Sequence, residues 1–253
     1  MKNIDDVLIR MDEIVEECKS KQSRIGYFAI LYRQVTRRIK KGILAGEFED
    51  NPRMEILDVL FAKRFIDAYD QWNGSLKSTE CWRLGFEASK DSKHLVLQHL
   101  FLGINAHINL DLGIAAAETM ADKDLVEIQG DFNQINAILA ERVDGVKANI
   151  SKVSPVFGWL IPLAKGRDEM LLNFSIQVAR NGAWKYAGEY HADPNKDFQI
   201  SDRDKTIAAL AHKLTTPGKF LAFLVKIVCF AEWKSVSRTM DQLDVVAEKS
   251  IAQ

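Results

Sequence analysis

KHLVLQHLFLGINAHINLDLGIAAAETM, residues 93–120, is apolar almost all the way round a helix, yet it carries His94, Gln98, His99, Asn105, His107, Asn109, Asp111 and Glu118. A helix of that composition belongs in the middle of a bundle. Polar and ionisable groups inside it need partners. At about 100° per residue, His107, Asp111 and Glu118 fall within an arc of roughly 40°. Gln98, Asn105 and Asn109 form a second polar arc on nearly the opposite side. The stretch therefore predicts a central helix between two polar regions. Either one of these is a site, or both bond to neighbouring helices.

Outward from this stretch, long i, i+3, i+4 patterns dominate and alternating β-branched runs are few, so the chain reads as all-α. The 253 residues suit one domain of about eight or nine helices spanning 1–253, since no composition shift marks a boundary. A net charge of −1 gives no global pull toward nucleic acid or acidic membranes, and neither partner is expected. Cys18, Cys81 and Cys229 are far apart and odd in number, which fits a reducing compartment. The acidic N-terminus lacks the apolar core of a secretory signal. The run from Phe220 to Ala231 is too short to span a bilayer. These features predict a cytoplasmic protein.

Helices are expected over 3–20, 24–44, 51–72 and 79–90. Asn51 is expected as N-cap with Pro52 at the first helical position. The basic end of 24–44 (Arg33, Arg37, Arg38, Lys40 and Lys41) reads as a solvated helix end, or less readily as a phosphate patch. Arg64 is expected to neighbour Asp67 on the helix surface. Further helices are expected from 122 to about 153, over 167–190 and 202–214, and from Thr216 to about Lys249. HADPNKDFQ, 191–199, reads as the clearest loop, with Ser201 and Asp204 as a weak cap. Trp82 and Phe86 share one face of the short fourth helix. The Tyr and Trp residues, Trp159 included, read as core and rim.

Strong catalytic signatures are absent: no P-loop, G-x-G-x-x-G, H-E-x-x-H, G-x-S-x-G or helical Glu-x-x-His occurs. The central helix supplies the candidates instead. His99 and His107 are about 12 Å apart along the axis, too far to share an ion readily. His107 and Asp111, at i and i+4, are about 6 Å apart and can share one divalent transition metal, given further ligands from Asp131, Asp67, Glu189 or His191. Alternatively Asp111 fixes the tautomer of a general base, His107, or the pair is structural. Gly103, one turn before His107, costs about 1 kcal/mol relative to alanine, which close packing or room for a ligand would offset. Arg64 and Arg180 are the arginines placed to hold a carboxylate or phosphate.

The box Leu97-Gln98-His99-Leu100-Phe101-Leu102-Gly103-Ile104-Asn105-Ala106-His107-Ile108-Asn109-Leu110-Asp111-Leu112 resembles that of an uncharacterised bacterial family of helical proteins, a domain of unknown function. FAKRFIDAY at 61–69, CWRLGF at 81–86 and DFNQINAIL at 131–139 look similar too. The likeness covers roughly 25 to 190. It implies one helical domain and carries over no activity. The leading expectation is an enzyme or small-molecule-binding protein. Its pocket would be lined by His99, Asn105, His107 and Asp111, with Arg64, Asp67 and Asp131 nearby, and it would carry out hydrolysis or proton transfer with or without a metal. The alternative is a non-catalytic interaction module in which the box is buried structure.

Overall fold

The computed structural model describes residues 1–135, 137–139, 176–216, 219–232 and 235–249. Among these, the secondary structure is helical and contains no strand. The elements are α1 (Ile4–Ser20), α2 (Ile25–Ala45), α3 (Asn51–Asn73), α4 (Glu80–Ser89), α5 (Val96–Ala106), a π-helical turn (His107–Asp111) and α6 (Leu112–Thr119). A 3₁₀ turn (Leu125–Ile128) follows. After it come α7 (Ile176–Ala192), α8 (Lys196–Thr215), α9 (Lys219–Ala231) and α10 (Val236–Lys249).

Each early helix begins where its sequence supplies a cap. Asn3 accepts the Asp6 N–H at the start of α1, whose first turn holds Asp5 and Asp6 and whose last holds Lys19, all suited to the helix dipole. Gly46 ends α2 in the left-handed region, φ 71°, where a β-carbon would be strained. At α3 the cap is Asp50 rather than Asn51; its carboxylate accepts the Arg53 N–H at 3.0 Å, and Pro52 falls inside the first turn. The Gln98 side chain accepts the Leu95 N–H at 2.9 Å and so opens α5.

Val96 to Thr119 forms one continuous 24-residue path through α5, the π turn and α6, buried within the fold up to its end at Glu118 and Thr119. It is long and apolar enough to cross a membrane by composition alone, which the expectation built on Phe220–Ala231 overlooked. Here α2, α3, α4, α7 and α8 surround it. Two glycines let neighbours come close. A β-carbon at Gly103 would lie 2.4 Å from Phe28 Cγ, so the aromatic ring fills the space beside that glycine. One at Gly113 would meet the Ala183 carbonyl at 2.8 Å, which sets α6 against the α7 backbone.

Several boundaries differ from the sequence reading. The loop at 191–199 is shorter than expected because Asn195 caps α8 through the Phe198 N–H at 3.1 Å. Ser201 therefore lies within α8. The last stretch is two helices, α9 and α10, rather than one. Apart from the exposed Lys41, the basic end of α2 is a paired seam rather than a solvated tip. Arg33 bonds Asp12 and Asp244, both at 2.7 Å; Arg37 bonds Asp12 at 3.1 Å; Arg38 bonds Glu47 at 2.8 Å; Lys40 pairs with Asp5. The Arg33, Arg37 and Lys40 contacts tie α2 to α1 and α10. The expected helical segments at 140–153 and 167–175, and Trp159, lie outside the described residues.

Candidate functional site

The π turn places His107 and Asp111 on the same side of the central helix, facing α2, α3 and α4. Such turns insert one residue into the helical register and often mark functional positions. His107 Nδ1 lies 3.1 Å from Asp111 Oδ2. That same oxygen accepts the Trp82 indole N–H at 2.9 Å, and Oδ1 accepts from Arg64 Nε at 3.1 Å. Asp111 is thus held by donors from three elements while only 1 % exposed. The expected Arg64–Asp67 pairing does not form. Arg64 turns inward to Asp111, and Asp67 pairs with Lys63 on the outer face of α3.

The His107 ring stacks on Phe61 at 3.7 Å between centroids and 8° between planes. Tyr32 meets it edge-on at 4.3 Å, and Phe28 and Trp82 stand at 5.6 and 6.0 Å. Burial in this aromatic box holds the imidazole pKa below its ordinary value, against the pull of Asp111. The ring is therefore neutral near pH 7. With a carboxylate facing Nδ1, the proton sits there and Nε2 is the acceptor. Nε2 is buried and has no hydrogen-bond partner.

The other expected site residues go elsewhere. Asn105 donates to the Ile207 carbonyl at 3.1 Å and accepts from Asn109 at 3.0 Å, so that polar arc fastens α8. Asp131 accepts the Glu49 N–H at 2.8 Å, the Asp50 N–H at 3.3 Å and Arg53 at 2.7 Å, anchoring the start of α3. His99 lies two turns before His107, edge-on to Tyr27 and His94 at 5.8 Å each. Burial pushes its pKa down to about 3. It lines a cleft of about 20 Å³ with Arg24, Gly85 and Ser89, whose far wall is Phe28, Phe65 and Trp82. Those three rings also stand around His107. That volume admits roughly one water molecule. A wider groove of about 920 Å³ lies at 72–90 and the start of α8 and includes none of the expected residues. Among the described residues, no third His, Cys, Asp or Glu joins His107 and Asp111 as a metal ligand.

The sequence reading missed Asp58. It lies on the buried stripe of α3 between Leu57 and Phe61, fully buried, with no hydrogen-bond partner on either oxygen. Burial, with Glu55 nearby, pushes its pKa up to about 8. The available signal was a carboxylate inside an apolar i, i+3, i+4 stripe, one turn before Phe61.

The chain belongs to a family of unknown function, DUF5995, whose family model matches residues 4–217. The match extends beyond the box and its flanking pieces in both directions. No curated protein and no solved structure matches the chain.

Proposed function

We propose, for this member of a family of unknown function, that the central helix carries a small-molecule site in which His107 acts as a general base. One observation carries the reading: a neutral histidine is fixed at Nδ1 by an anchored carboxylate while its Nε2 acceptor is buried and unpartnered. A buried acceptor without a partner costs about 1–3 kcal/mol. A purely structural pair gains nothing by leaving it open. An Asp-oriented imidazole with a free Nε2 is the arrangement that takes a proton from a bound molecule. Asp111 orients the ring; Arg64 and Trp82 position Asp111. This supports proton transfer or water-activating hydrolysis as the reaction class.

The test is thermal-shift screening of small metabolites against the wild type and His107→Gln. A hit that raises Tm in proportion to its concentration and loses its effect in the variant supports the reading. Hits that stabilise both proteins equally remove it. A metal-assisted version needs more than His107 and Asp111. It requires a near-stoichiometric transition metal in untagged protein that disappears in His107→Ala.

A further inference from the structure

The rings of α2 and α3 pair in sequence: Phe28 with Phe65 at 5.1 Å and Tyr32 with Phe61 at 5.6 Å. The two helices therefore run antiparallel. The next step along this register sets Thr36 opposite Leu57 and Asp58. Tyr32 extends its hydroxyl toward Thr36 and feels the charge of Asp58, while its ring lies 4.3 Å from His107. Asp58 and Thr36 are fully buried; Tyr32 and His107 are 1 % exposed. Tyr32 Oη, Thr36 Oγ1, both Asp58 oxygens and His107 Nε2 all lack a hydrogen-bond partner. Five such atoms thus come from α2, α3 and the central π turn, with the Tyr32 and Thr36 hydroxyls facing each other. At three other buried carboxylates, Asp111, Asp131 and Asp204, both oxygens accept from donors.

Building on the general-base reading of His107, we propose that Asp58, Tyr32, Thr36 and His107 Nε2 form one binding site for a compact, uncharged molecule bearing both a hydrogen-bond donor and an acceptor, of the amide or hydroxy-carbonyl class. The charges around these groups select against ions. Glu55 acts on Asp58, Asp111 acts on Tyr32, and the nearby cation Arg64 is committed to Asp111. Among these described residues, an anion would meet carboxylates and a cation already committed to Asp111. A cation would require Asp58 to ionise in a fully buried position, whereas its raised pKa keeps it a neutral acid near pH 7. As a neutral acid, Asp58 offers one donor and one acceptor; the two hydroxyls adapt, and Nε2 accepts.

The probes are acetamide, acetate and methylammonium, of similar size and differing in charge, titrated into the full chain at pH 7. The readout is the NMR signals of the His107 ring and the Tyr32 ring. Acetamide should give saturable shifts at both. Asp58→Asn, which stays neutral and hydrogen-bonding, should bind within about threefold of wild type, and Asp58→Leu about tenfold or more weaker, the loss expected for a hydrogen-bonding anchor. Thr36→Val, nearly isosteric, should weaken binding in the same direction and guards against a misfolded Asp58→Leu. Preference for acetate or methylammonium overturns the uncharged class. Absence of shifts with all three probes overturns the site. Equal acetamide binding by wild type and Asp58→Leu, with loss in His107→Gln, overturns this inference and leaves the general-base reading standing. Loss in Asp58→Leu with full binding by His107→Gln keeps Asp58 as the anchor and removes the general base.

Discussion

Asp131 and Asp58 are both buried, and both are tied to α3, yet they are built in opposite ways. Asp131 is 1 % exposed and collects two backbone N–H groups and a guanidinium at the helix start. Asp58, two turns into the same helix, collects nothing. A desolvated carboxylate is tolerable only when donors replace its water or a proton neutralises it. The chain supplies the donors at Asp131 and leaves the proton to do the work at Asp58. The first arrangement is what stabilises a fold. The second adds no bond to the fold, and the proposed binding site rests on it.

The largest effect should come from the completed carboxylate. Asp131→Ala strips Arg53 and two backbone N–H groups of their acceptor, and should cost roughly 3–5 kcal/mol in urea unfolding. Asp131→Asn, which keeps an acceptor oxygen, should cost less. A loss below about 1 kcal/mol for the alanine variant would erase the contrast with Asp58.

Asp58→Leu should move the other way, gaining roughly 1–4 kcal/mol at pH 7 because no bond is lost and a buried acid is removed. The pH dependence fixes the sign. The folded pKa is raised to about 8 from an ordinary 3.8. Between these values the unfolded chain releases its proton and the folded chain keeps it, so stability falls as pH rises from about 4 to about 8. Below that window the group contributes no difference. Subtracting the Asp58→Asn stability curve from that of wild type should isolate this decline. A flat difference between pH 4 and 8 would mean that Asp58 titrates normally. The buried histidine His99, whose pKa is lowered to about 3, acts in the opposite sense: stability is lost as pH falls below its ordinary 6.5.

Asp204 gives an intermediate case. Its carboxylate accepts the Glu80 N–H at 2.6 Å and the Cys81 N–H at 2.8 Å, so it caps α4 from a distant helix. Asp204→Ala should cost about 1–2 kcal/mol, the worth of a helix cap, with unfolding followed by the circular-dichroism signal.

The all-α fold and the central helix were legible because periodicity is a local signal. The stripe at 93–120 needed no partner to be recognised. The His107–Asp111 pairing was legible for the same reason, since i and i+4 are neighbours on any helix. What could not be read was which distant group completes each side chain. Arg64 has Asp67 close by in sequence, yet it crosses to Asp111 on the central helix. Asn105 and Asp131 have the residue types of a site, but they meet backbone groups of α8 and of the α3 start. Asp58 was passed over because one carboxylate in a stripe of Met54, Leu57, Phe61 and Phe65 reads as an interruption of a core, and only its packing shows that it has no way to the surface.

The smallest predicted effect is also the most direct comparison, because it removes a single oxygen from each side. Tyr69 donates its hydroxyl to Glu17 at 3.0 Å, whereas the Tyr32 hydroxyl is buried without a partner. Tyr69→Phe should cost about 1 kcal/mol, the net worth of one hydrogen bond. Tyr32→Phe should be neutral or stabilise by a few tenths of a kcal/mol, since the ring contacts with Phe61 and His107 remain and an unsatisfied hydroxyl goes. If Tyr32→Phe costs as much as Tyr69→Phe in urea unfolding, its hydroxyl is bonded within the folded chain. The surroundings of Asp58 are then a structural network of the same kind as the one at Asp131.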